Sequence, residues 1–249
     1  ILMLQVNAVS ALVDILYSVA IGYWVYEKTG SSALMGIMSS ISMFMTMLVM
    51  PFSGSIIDKC SRKLIIVGMD TLRGVIMLAL GVLAFADSLS VPVVLAAAFL
   101  ASACSVFFSP AVNTLMLDII PHDDMVRGQS VFSGVNSFVN LVGKAISGAL
   151  VAFLGVPLIV LLNGVSYLVS AFTELFITVP KTVHQGEKIT LGGIFADFRV
   201  AVREIFRNRY LKLFIPCALI LNLLSAGSMT LMLPFTLEKG FTVDMYGYL

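Results

Sequence analysis

Five ionisable side chains stand inside long apolar runs of this sequence: Asp14, Asp70, Arg73, Lys144 and Glu174. An Asp or Lys at the centre of such a run costs roughly +2.5–3.5 kcal/mol on insertion scales, so each needs a partner, water or a task. Asp14 falls near the middle of the first run. It reads with equal weight as a carboxyl that exchanges a proton and as a structural acid satisfied by neighbouring helices. Asp70 and Arg73 are three residues apart and so share a helical face. An internal pair is preferred there over a substrate contact. Lys144 either pairs with Asp14 or faces a watery cavity, with pairing preferred. Glu174 lies near the end of its run, where a long side chain reaches water by snorkelling, and it is given no role.

The elements that must hold these residues are of membrane length. Hydrophobic residues make up 59% of the 249 and charged ones 12%, against roughly 45–50% and about 25% in soluble domains. With a mean hydropathy of +1.02, so few charges cannot clothe a soluble surface. About 20 mostly apolar residues cross the hydrocarbon, and runs of that kind occur at 2–25, 34–57, 64–86, 91–117, 129–153, 157–179 and 213–235. The chain is therefore expected to be an all-α integral membrane protein. Residues 1–179 would form an amino-terminal six-helix bundle, 180–212 a linker, and 213–249 the start of a second bundle. The sequence opens at Ile1 and stops after an apolar span, and it is read as a fragment whose carboxyl-terminal half is missing.

Alternate connections carry Lys59, Arg62, Lys63, Arg127, Lys181, Lys188, Arg199, Arg203, Arg207, Arg209 and Lys212, whereas the opposite ones carry Lys28 and Lys239. Cations mark the cytoplasmic side, so the amino terminus is expected there, in a bacterial inner membrane. Between Gly192 and Arg209, Ile194, Phe195, Phe198, Val202, Ile205 and Phe206 recur at helical spacing among charged residues. That spacing predicts an amphipathic helix on the inner membrane surface, preferred over a partner-binding helix. The tether before it centres on Gly186.

Cys60, Cys104 and Cys217 are far apart, and His122 and His184 lack metal-ligand spacing, so no metal or disulfide framework is expected. H-E-x-x-H and G-x-x-x-x-G-K-[ST] motifs are absent, so neither catalysis nor a cofactor is expected. Without a nucleotide loop, energy would come from an ion gradient or from the substrate's own. No concentrated basic and aromatic surface suggests nucleic acid.

The most specific pattern joins the second and third runs: Gly54-x-x-x-Asp58-Lys59-x-x-Arg62-Lys63. A turn that merely obeys the charge rule accounts for the cations, but not for the glycine, the acid and their spacing. The pattern resembles the signature loop of the major facilitator superfamily, G-x-x-x-D-[RK]-x-x-R-[RK]. A second stretch, Asp118-x-x-Pro121 followed by Arg127-Gly128, resembles that superfamily's passage from fourth to fifth helix. The acid in the first span, "VYEKTGSS" after it and Asp70-x-x-Arg73 resemble the macrolide-efflux and drug:proton antiporter branch. The fifth span departs from the exporter pattern: Gly143 and Gly148 are present, but Lys144 stands where proline is usual.

The resemblance implies two inverted three-helix repeats, followed here by the first helix of the second bundle. It implies that Asp58 latches an inner gate, with Arg62 pairing with Asp118 and Arg127 a further gate partner. It also implies a secondary transporter, most simply a proton-coupled exporter of hydrophobic drugs. A lysophospholipid or other solute carrier is the alternative within transport, and a non-transporting scaffold or sensor the alternative outside it. The expected partners are the lipid bilayer, a small hydrophobic substrate and a coupling proton. Met38, Phe44, Met45, Phe107, Phe108 and Phe138 are candidates for a polarizable apolar cavity, although packing or lipid contact is the commoner fate of the second span's methionines, Met38, Met43, Met45, Met47 and Met50.

Overall fold

The structure is a computed structural model that describes residues 2–120, 124–177 and 191–238; the side chains of Asp58 and Asp118 fall outside the description. In lipid every backbone polar group must be satisfied within the chain, and the apolar runs accordingly close into helices. They are α1 (Leu2–Thr29), α2 (Ser32–Lys59), α3 (Arg62–Phe85), α4 (Val91–Ile119), α5 (Met125–Leu154), α6 (Val156–Glu174), α7 (Leu191–Arg207) and α8 (Arg209–Glu238). No strand occurs among the described residues. Helices α1 to α6 each contain a stretch long and apolar enough to cross a membrane.

The connections are short because glycine or polar residues break the helices abruptly. Gly30, at φ +63°, ends α1, and its N–H donates to the Tyr26 carbonyl at 2.7 Å. Gly155, at φ +75°, is the whole link between α5 and α6. Both angles lie where a Cβ is strained and glycine is not. Cys60 and Ser61 alone separate α2 from α3, so most of the expected loop motif is helix terminus and not loop. The predicted linker helix is α7, and its Phe198 ring packs on Phe52 of α2 with centroids 5.0 Å apart. The tether around Gly186 lies outside the described residues.

The packing of α1–α6 follows a two-fold rule. α1 packs on α5 and α6 as α4 packs on α2 and α3, while α3 and α6 form the largest contact, across the centre. Exchanging α1 with α4, α2 with α5 and α3 with α6 reproduces this scheme. Exchanged helices run in opposite directions, since single short links alternate the spans. The bundle is therefore two inverted three-helix repeats, and α8 touches it through α2.

Hydrophobicity does little to join helices in lipid, so close packing must. At the α3–α6 contact a Cβ on Gly164 would come within 2.7 Å of the Leu78 backbone nitrogen, and one on Gly81 within 3.1 Å of Leu161 Cα. Two apolar clusters fill the ends of the bundle. One joins Leu16, Ile21 and Val25 of α1 to Leu80, Val94 and Ile159. The other joins Ile57, Ile66 and Leu115 beside the α2–α3 turn. On α3 the buried Asp70 and Arg73 lie between Ile66 of the second cluster and Met77 of the first.

Candidate functional site

Arg73 stands at the midpoint of α3 and is buried with Asp70, which is 1% exposed. The i, i+3 spacing sets both on the face that meets α6. Arg73 Nη2 donates to Asp70 Oδ1 in a buried ion pair. Its guanidinium lies between two rings, with Cζ 4.2 Å from the Phe108 centroid and 4.4 Å from that of Tyr167. Nη1 donates at 3.4 Å to both Ser105 Oγ and Tyr167 Oη. A cation desolvated between aromatic faces gains up to about 2 kcal/mol there, while the carboxylate meets its charge.

Asp14, midway along α1, joins the same group from the other side. Its Oδ1 accepts from Tyr167 Oη and, at 3.2 Å, from Asn163 Nδ2. Tyr167 thus bridges the α1 acid to the α3 cation. On α6 the buried polar positions are Asn163, Tyr167, Ser170 and Glu174, at i, i+4, i+7 and i+11, which is one helical face. Ser170 Oγ donates to Glu174 Oε1 at 3.3 Å. The site runs through four helices: Asp14 (α1), Asp70 and Arg73 (α3), Ser105 and Phe108 (α4), and the α6 stripe. It contains three carboxyls and one guanidinium, so it suits the binding and movement of protons. Among the described residues no group of three His, Cys, Asp or Glu is placed to hold a metal ion.

The Asp70–Arg73 pair is as the spacing predicts. Lys144 is a correction: its side chain is exposed, and Asp14 is satisfied from α6 instead, because α5 turns Gly143, not Lys144, onto α1, where a Cβ would lie 2.9 Å from Ile15 Cδ1. Glu174 is another: it is 2% exposed and does not reach water, since α6 ends there against α3. Tyr167, Asn163 and Ser105 were not singled out from the sequence. The i, i+4, i+7, i+11 spacing of Asn163, Tyr167, Ser170 and Glu174 was the available signal for the α6 members.

Around the α2–α3 turn, Lys59 and Arg62 are half-buried, and Lys63 Nζ donates to the carbonyls of Leu175 (2.6 Å) and Ile177 (2.9 Å). Lys63 therefore caps the carboxyl end of α6, a role that its place in the motif did not suggest. Among the described residues nothing lies within 4 Å of a Cβ built on Gly54, so their packing does not account for that glycine. Arg127 is exposed at the start of α5. The expected pairing of Arg62 with Asp118 and the latch at Asp58 fall outside the described side chains.

The six candidate cavity residues are dispersed. Met38 packs against the first apolar cluster and Phe107 and Phe108 against the second. Met45 is buried, whereas Phe44 (60%) and Phe138 (66%) are exposed. Phe108 has a specific contact, with Arg73.

An inverted-repeat bundle with a charged network held at mid-depth defines a multi-pass α-helical membrane protein of transporter build. The family model of the Major Facilitator Superfamily matches residues 4–249, and the chain belongs to that superfamily. It is 31% identical to the putative bacilysin exporter BacE of Bacillus subtilis over 165 residues, which are 66% of this chain and 40% of that protein. It is 23% identical to macrolide efflux protein A of Streptococcus pyogenes over 175 residues, 70% of this chain and 43% of that one. The alignment with the uncharacterized MFS-type transporter YkuC of Bacillus subtilis, at 24% identity, covers 81% of this chain and 47% of YkuC. The chain thus spans less than half the length of the curated relatives it matches. Its fold is similar to that of a bacterial homologue of the human lysosomal transporter Spinster, in an inward-facing, unoccupied conformation. The TM-score is 0.73 at 14% identity, covering 98% of this chain and 57% of that one.

Proposed function

We propose that the protein is a proton-coupled exporter of lipophilic compounds working by alternating access, with Asp14 as the carboxyl whose protonation alternates. The observation that carries this reading is the Asp14–Tyr167–Arg73–Asp70 connection at mid-depth. A carboxyl linked by one hydroxyl to a guanidinium that already has an anionic partner can respond to a proton by redistributing those bonds, and such a bistable contact is what gating requires. The export direction rests on the two relatives whose names state efflux and export, and the lipophilic class on the drug-exporter resemblance and the apolar side chains proposed for the cavity. The organisation proposed is a bundle over 1–179, a linker over 180–212 and the start of a second bundle from 213. The cation-rich turns are assigned to the cytoplasmic side of a bacterial inner membrane. Asp58, Lys59, Arg62 and Lys63, with Asp118 and Arg127, are assigned to the inner gate.

The test is transport by the full-length protein in a pump-deficient bacterium and in proteoliposomes. Accumulation of lipophilic antibiotics or dyes falls, and a protonophore abolishes the effect. Asp14→Asn loses uphill export and keeps downhill exchange, because the amide mimics the protonated carboxyl. Persistence of uphill export in Asp14→Asn places coupling elsewhere. Carriage of sugar phosphates or amino acids, with no lipophilic compound exported, overturns the substrate class.

A further inference from the structure

Helix α5 carries a polar stripe that the mid-depth network does not use. Gln129, Ser133, Asn136, Asn140 and Lys144 recur at i, i+4, i+7, i+11 and i+15, which places them on one helical face. All are exposed except Asn136, which is half-buried. The stripe runs about 22 Å at helical rise, from the Arg127 end of α5 to a lysine a little beyond its midpoint. Gly143 packs on Leu12 and Ile15 of α1, so Lys144 lies level with Asp14. Farther along, the same face closes, since Ser147 and Val151 are buried.

Lipid is a poor neighbour for this stripe. A lysine turned to hydrocarbon near mid-span is strongly disfavoured, and α5 already has an apolar side for lipid in the exposed Phe138, Leu141 and Phe153, which lie off the stripe. The inverted fold does not demand polar residues here. Helix α2, which the two-fold exchanges with α5, exposes Met43, Phe44, Met47 and Met50. The bundle therefore offers a polarizable apolar surface on one open helix and a polar, cationic one on the other.

The donors on the stripe are available. Among the described residues the Lys144 amine has neither an ion pair nor a side-chain hydrogen bond, and α5 contains no acid. Asn140 Nδ2 donates to the Asn136 carbonyl and Asn136 Nδ2 to the Phe132 carbonyl, each at 3.1 Å. An amide nitrogen has two N–H groups, so each keeps one for a ligand. An ammonium with an amide donor one turn away suits an anionic oxygen group.

We infer that the transported compound is a lipophilic anion, whose body lies on apolar surface while its carboxylate, sulfonate or phosphate oxygens bind Lys144 and Asn140. The inference rests on the exporter reading proposed above and deepens it by naming the charge of the substrate. Charge complementarity favours this occupant, because a neutral or cationic compound would leave the ammonium unpaired away from water. An anionic lipid headgroup and an acid from elsewhere in the full-length protein are the rival groups for Lys144.

Two dyes with one lipophilic body separate these cases: anilinonaphthalene sulfonate carries a fixed anion, and phenylnaphthylamine lacks it. Fluorescence titration of the full-length protein in phosphatidylcholine vesicles, less protein-free blanks, gives the ratio of their affinities. Lys144→Gln should shift that ratio against the sulfonate by about tenfold or more, the weight of a hydrogen bond to a charged group. Lys144→Arg should hold the ratio, and Asn140→Ala should lower it by a smaller factor. Lys144→Glu should turn the preference toward the lipophilic cation tetraphenylphosphonium. An unchanged ratio in Lys144→Gln overturns the inference, as does an equal loss of both dyes, which marks a lysine paired inside the protein. If that variant does not fold, an unchanged ratio in Asn140→Ala overturns it equally. A wild-type ratio that collapses when phosphatidylglycerol is added, while that of Lys144→Gln holds, gives the site to a lipid headgroup and also overturns it. The exporter reading fails separately, when cells export no lipophilic compound whatever the affinities of the two dyes.

Discussion

Tyr167 of α6 donates its hydroxyl to Asp14 of α1 while its ring forms one wall against the Arg73 guanidinium. One side chain therefore ties together the acid and the base that the sequence places on different helices. Tyr167→Phe keeps the wall and deletes the donor. A hydrogen bond to a charged group is worth about 1.5–3 kcal/mol, or roughly tenfold to a hundredfold in an equilibrium. Uphill export should fall by that order with expression and downhill exchange preserved, as measured by substrate flux in proteoliposomes. Undiminished uphill export would show that the hydroxyl only fills space.

A close approach of α3 and α6 depends on Gly164. An alanine methyl there meets the Leu78 backbone nitrogen at 2.7 Å, and backbone cannot turn aside as a side chain can. Overpacking of this kind costs about 1–3 kcal/mol. Gly164→Ala should lower the thermal midpoint of the purified protein in detergent, whereas Gly36→Ala, where a Cβ meets nothing within 4 Å among the described residues, should not. Equal midpoints for both variants would mean that the helices separate at little cost.

Topology can be tested with a native residue. Cys60 is half-buried at the α2–α3 turn, and Ser88 is exposed between α3 and α4 at the other end. An impermeant thiol reagent should label Cys60 from the cytoplasmic side alone, and a cysteine at Ser88 from outside alone. Labelling of Cys60 in intact cells reverses the proposed orientation.

The gate assignment stands on Asp58. In the proposed gate Asp58 holds charged partners, and truncating such an acid leaves them unpaired at a cost of a few kcal/mol, about enough to shift a two-state gate more than tenfold. Asp58→Asn should therefore cripple flux while leaving insertion and expression near normal. Full transport by that variant would reduce the turn to a determinant of topology.

The sequence by itself determined the first six spans and the superfamily. Membrane insertion reads hydropathy and cation placement locally, and the Gly54–Lys63 pattern is contiguous, so no folding was needed to see either. The Asp70–Arg73 pair was legible for a similar reason, since i, i+3 proximity is a property of one helix. Tertiary structure decided everything that depends on which helix lies opposite. Asp14 could have met Lys144 by composition; the fold gives it Tyr167 and Asn163, because α5 turns a glycine face to α1 and exposes its lysine. Lys63 left the cation motif to cap α6, and Glu174, one turn from water by sequence, became buried where α3 and α6 pack. Helical periodicity says which residues share a face, while the inverted pairing of the two repeats says which faces meet, and no single run of residues encodes that pairing.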